Sequence, residues 1–128
     1  MKWICVQESV VLAIHEFQLA EHGGIPGIRD EGLLASALAR PCNLDAYGED
    51  DDATALAAAY AFGVARNHPF LDGNKRAAFV VMELVLNLNG WILNADDADC
   101  ILTMLSFASG ELGEKALATW LRRHIERE

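Results

Sequence analysis

The chain is short of basic side chains, of cysteine and of long apolar runs, and each shortage excludes a class of protein. Lysine and arginine number 10 against 19 aspartates and glutamates, a net charge of −9 over 128 residues. Nucleic acid and anionic membranes are gripped by basic faces, so direct binding to either is not expected. Cys5, Cys42 and Cys100 are odd in number, far apart and without a CxxC pair. They support neither a disulfide framework nor a thiolate zinc site. The longest nearly apolar run, Ala53 to Ala65, is too short to cross a bilayer. The opening MKWICVQESV meets Glu8 before an apolar stretch long enough for a secretory leader has formed. A soluble, cytoplasmic protein is expected. GxxxxGK[ST] and GxGxxG are also missing, so P-loop, Rossmann and protein-kinase folds have no support.

What is present favours helices. Alanine and leucine supply 37 residues, valine and isoleucine only 14. The length suits one domain, residues 1–128, large enough to bury a core without staples. Val10, Ile14 and Phe17 have the spacing of one helix face over Glu8 to His22, ended by Gly23 and Gly24. Asp30 is a suitable N-cap for a second helix, Glu31 to Ala39, stopped by Pro41. Cys42 to Asp52 has no helical period and reads as an exposed loop or small hairpin. A third helix is expected from Ala53 to Asn67, halted ahead of Pro69 because a residue before proline disfavours helical torsions. A fourth, Asn74 to about Asn89, is apolar nearly all round and belongs at the centre of a bundle. A fifth starts at Asp96 or Asp97 and reaches Ala108. A sixth runs from Gly113 to the C-terminus. The expectation is an all-α bundle of about six helices with a buried central helix.

One segment stands apart, Asn67-His68-Pro69-Phe70-Leu71-Asp72-Gly73-Asn74-Lys75-Arg76. From Pro41 to Glu114 the only basic residues are Arg66, Lys75 and Arg76, against twelve acids. A basic island where a loop enters a buried helix is suited to an anion: the free N–H groups and the dipole of the helix start both favour negative charge. Lys75 and Arg76 add contacts suited to phosphate, and Gly73 lets a ligand approach the backbone. Asp72 can hold a magnesium ion that phosphates share. His68 has the side chain whose unperturbed pKa suits proton abstraction near neutral pH. Taken singly, His68 reads as a loop residue, Asp72 as a cap, Asn74 as a turn former and the two cations as solvated charges. Asp50-Asp51-Asp52 and Asp96-Asp97-Asp99 lack the EF-hand pattern and read as solvated caps. His15, His22 and His124 are isolated along the chain.

The string as a whole resembles the Fic/Doc signature HxFx[DEN][AG]N[GK]R, with His68, Phe70, Asp72, Gly73, Asn74, Lys75 and Arg76 all matching. Gly23 to Asp30 and Leu34 to Pro41 are similar to the amino-terminal part of the death-on-curing (Doc) branch, so the likeness covers nearly the whole chain. Members of the wider Fic group transfer AMP from ATP to a target hydroxyl. Their motif has glycine where this chain has Lys75, and a second arginine where this chain has Phe79. In the Doc branch the lysine form goes with kinase activity, the γ-phosphate of ATP passing to a threonine of elongation factor Tu. The resemblance therefore implies a kinase toxin that stops translation, neutralised by an antitoxin whose disordered tail folds onto it. By position it makes His68 the general base, gives Asp72 to Mg²⁺ and gives Asn74, Lys75 and Arg76 to phosphates, with the Gly73 and Asn74 amides completing the cradle and the Cys42 to Asp52 loop serving as a flap that aligns the target segment. An AMP transferase using the same residues, and a catalytically silent protein-binding module, are the competing readings.

Overall fold

Alanines at 53, 57, 58, 59, 61 and 65 give one helix a surface low enough to be approached from every side. In the computed structural model, which describes residues 3–44 and 52–128, that helix, α3 (Ala53–Asn67), is buried along nearly its whole length. Helices α2 (Glu31–Leu44), α4 (Asn74–Leu88) and α6 (Glu114–His124) pack around it, and α1 (Glu8–His22) lies on α4. Helix α5 (Asp97–Ser109) touches α3, α4 and α6. The fold is mostly helical, with these six helices among the described residues. No described helix is long and apolar enough to cross a membrane.

The centre of the bundle is therefore α3, where composition had pointed to α4. Large apolar residues all round α4 do not imply burial all round. Val81, Met82, Val85 and Leu86 are sealed, while Phe79, Val80 and Leu84 stay partly open. Small size is what lets α3 be enclosed. A Cβ on Gly63 would lie 2.7 Å from Ala37 Cβ and 2.8 Å from its carbonyl oxygen, so α2 and α3 touch nearly backbone to backbone.

Four local expectations change. Helix α2 continues through Pro41 to Leu44. Proline in the last turn deletes one bond, to the Ala37 carbonyl, and the ring is itself buried. The face of α1 is also turned by about one residue. Val11 and His15 point inward, while Val10 and Phe17 are 38% and 61% exposed. Helix α6 ends at His124, and Ile125–Arg127 forms β2, paired antiparallel with β1 (Trp91–Leu93) in register Trp91↔Arg127. The Arg127 guanidinium lies 4.6 Å over the Trp91 ring, a cross-strand contact that fixes the pairing. Finally, Cys5 is disulfide-bonded, although chain spacing had suggested no disulfide, and Cys100 is a free thiol. Residues 42–44 of the expected flap close α2, and the rest of it, 45–51, lies outside the described residues.

Candidate active site

The signature string forms the turn between α3 and α4. Helix α3 stops at Asn67 for the expected reason, and His68 adopts φ 50° and ψ 58°, the only positive φ outside glycine among the described residues. That conformation is costly for a side chain with a Cβ and concentrates at functional sites. Pro69 and Phe70 then turn inward, and Phe70 is 1% exposed. The chain returns outward at Leu71 and Asp72, and Gly73, at φ 75°, launches α4.

A second segment, residues 23–30, clamps this turn. Ile28 bridges Phe70, the Leu71 amide donates to the Gly27 carbonyl, and the Arg29 and Asp30 amides both donate to the Pro69 carbonyl. The Arg29 side chain donates through Nε to the His68 carbonyl at 2.6 Å and through Nη2 to the Asn67 carbonyl at 2.8 Å. Gly24, at φ 130°, packs against the Asp72 carboxylate so closely that a Cβ there would sit 2.9 Å from Oδ2. Asp30 caps α2 as expected, accepting from the Leu33 amide at 3.0 Å.

Underneath lies His15. Its ring stacks on Phe70 at 3.7 Å and 7°, and its Nε2 lies 2.7 Å from the Asp72 carbonyl oxygen, to which it donates. Asn74 holds Phe70 from the other side. Its Oδ1 accepts from the Phe70 amide at 3.0 Å and its Nδ2 donates to the Phe70 carbonyl at 2.9 Å. The Asn74 side chain is thus engaged inside the turn.

Asp72 is exposed. Its carboxylate accepts from the Ile25 amide at 3.2 Å and the Gly73 amide at 2.9 Å. Those two bonds, with the charges of Arg76 and His15, hold its pKa below the ordinary aspartate value, so it is ionised at neutral pH. Gly73 has no side chain to cap α4, and Lys75 and Arg76 are exposed and make no ion pair among the described residues. Two exposed cations with no ion pair among the described residues, a helix start without a side-chain cap and one ionised carboxylate therefore lie together. This set can bind an oxyanion and a divalent cation side by side. Lys75 and Arg76 also form the rim of a mostly apolar cavity of about 440 Å³, with Phe79, Val80, Ile101 and Met104 in its walls.

His68, Asp72, Gly73, Asn74, Lys75 and Arg76 are thus gathered in one turn and the helix start that follows it. Reading along the chain missed two residues that build the site, His15 and Arg29. His15 is alone in sequence and gives no signal. Arg29 stands beside the Asp30 cap in the glycine-rich stretch that resembles the Doc branch, but nothing in the sequence gave it a role at the site.

The family model for the Fic/DOC family matches residues 5–86, which include every residue of the turn and of its clamp. The protein kinase doc of Escherichia phage P1 is 32% identical over 118 residues, covering 92% of this chain and 93% of its own length. The toxin Doc of Mycolicibacterium smegmatis is 44% identical over 78 residues, 58% of each chain.

Proposed function

This chain belongs to the Fic/DOC family, on its death-on-curing (Doc) branch, and we propose on that premise that it is the cytoplasmic toxin of a bacterial toxin–antitoxin pair. Its activity is transfer of the γ-phosphate of ATP to a threonine hydroxyl of a translation factor such as elongation factor Tu, which stops translation. The observation that carries this reading is the grouping of ionised Asp72, of Lys75 and Arg76, which make no ion pair among the described residues, and of the uncapped start of α4 next to a left-handed His68.

In the reaction the target hydroxyl oxygen attacks the γ-phosphorus, its proton passes to His68, and the bond to the β,γ-bridging oxygen breaks to release ADP. Little covalent chemistry is asked of the protein, so positioning and charge neutralisation carry most of the rate. Lys75, Arg76 and the first amides of α4 hold phosphate oxygens, with Gly73 leaving room for them. The Asp72 carboxylate keeps lone pairs free beyond its two amide bonds, which suits Mg²⁺, an ion that retains several waters. Mg²⁺ when bound would neutralise phosphate charge.

The second reading, AMP transfer, is disfavoured by Lys75 and by Phe79. An apolar ring lines the cavity at the position where the AMP-transferring group carries a phosphate-binding arginine. Intact-mass spectrometry of elongation factor Tu incubated with the protein, ATP and Mg²⁺ separates the two. Added phosphate supports the kinase; added AMP overturns it. A Lys75→Gly variant should lose phosphorylation, because the lysine crowds the pose that presents the α-phosphate.

The antitoxin is expected to lay an apolar helix bearing basic residues over the trough between α1 and α5. Ile101 and Leu105, which line it, are 60% and 45% exposed. A charge of −9 favours a basic partner. A tail that orders there would raise the melting temperature by mass action.

A further inference from the structure

A left-handed residue at a helix end normally has local support: the amide of the next residue bonds back to a carbonyl of the last turn. After His68 that residue is Pro69, which has no N–H to give. The terminal carbonyls of α3 therefore lack the donor that usually keeps such an end in place. Arg29 replaces it from a distant part of the chain, one guanidinium reaching two successive carbonyls, Asn67 at 2.8 Å and His68 at 2.6 Å. Its positive charge also lies where the helix dipole favours a cation.

We infer that Arg29 is a positioning residue for His68: its two-pronged grip on the Asn67 and His68 carbonyls holds the backbone from which the His68 ring projects. The inference rests on the reading of His68 as general base. Two features make it separable from simple folding. The Arg29 and Asp30 amides hold Pro69 by main-chain bonds that survive any change of side chain. Arg29 is also exposed, so trimming it opens no cavity. Lysine is an incomplete substitute, because a point ammonium cannot span two carbonyls as the planar fork does.

The test compares wild type, Arg29→Ala and Arg29→Lys, and adds millimolar guanidinium chloride to Arg29→Ala. It measures kcat and KM for ATP in phosphorylation of elongation factor Tu, and the His68 ring resonances by NMR. Arg29→Ala should lose roughly 10- to 100-fold in kcat, the scale of a small misplacement of a reacting group. Its KM for ATP should stay level, and its His68 resonances should shift or broaden while those of His22 and His124 stay in place. Arg29→Lys should fall between, and guanidinium should restore part of the rate. A folded Arg29→Ala with unchanged kcat and an unchanged His68 spectrum overturns the inference. So does a rise in KM with kcat intact, which would make Arg29 an ATP contact. Should Arg29→Ala fail to fold, Arg29→Lys decides by the same criteria. If the wild type transfers no group at all, the functional reading fails by itself, and the His68 spectrum alone decides the positioning role.

Discussion

Helix α3 is fastened by an arginine at each end, and the two fastenings differ in kind. At its start Asp52 is the cap: Oδ1 accepts from the Ala55 amide at 3.0 Å and from the Thr54 hydroxyl, and Oδ2 accepts from Arg122 Nε at 2.9 Å. Burial pushes the Asp52 pKa up, but Arg122, Thr54 and Ala55 outweigh it and hold the carboxyl below the ordinary aspartate value. At the other end Arg29 bonds bare carbonyls, and the residue it secures is left-handed. Beyond it, Asp72, Lys75 and Arg76 point to solvent with bonding capacity to spare. The start of α3 satisfies its own groups and so serves stability. The end holds strain and exposed charge that forms no ion pair among the described residues, which is the condition for binding something else.

The sharpest way to break this contrast is His68→Ala. Loss of a general base should cost about 10²–10⁴-fold in phosphorylation rate, with the melting curve unchanged, because the ring is exposed. Persisting toxicity in a folded variant would end the enzymatic reading. Next comes Gly24→Ala. A Cβ at φ 130°, within 2.8 Å of Leu19 and 2.9 Å of Asp72, should cost about 1–3 kcal/mol in urea denaturation. It should also raise the Mg²⁺ concentration needed for activity, since the Asp72 carboxylate must move.

At the opposite end, Asp52→Ala should cost about 0.5–2 kcal/mol and leave the rate per folded molecule unchanged. Its pH dependence has a definite sign. A folded-state pKa below the unfolded one contributes stability that is complete above the unfolded value and is lost as pH falls through the folded value. The gap between wild type and Asp52→Ala should thus hold steady from neutral pH to about 5 and close under stronger acid. The smallest effect belongs to Arg122→Ala. Its ion pair is half exposed, so it should contribute up to about 1 kcal/mol, less at high salt. A fall in kcat from either of these last two variants would erase the distinction between the ends.

Much of this molecule follows from rules that act within a few residues. Asp30, Asp52 and Asp96 each cap the helix that follows through their own side chains, Pro69 ends α3, and Gly110 ends α5 at φ 90°. The site string is equally local: nine consecutive residues make one turn and one helix start. Helix count, most boundaries and the grouping of these residues in one turn were therefore readable without a structure.

What was not readable depends on contacts between distant residues. The phase of α1 is set by His15 stacking on Phe70, not by the most regular apolar stripe, so Phe17 faces out. Which helix lies at the centre turned on how closely Ala37 and Gly63 let two backbones approach. The grip on His68 comes from a residue 39 positions away. Periodicity and capping describe what a segment can offer, since they depend on its own torsions and side chains. Which offer is taken up depends on the energy of contact with a partner elsewhere in the chain, and that partner is defined only once the tertiary structure has brought the two together.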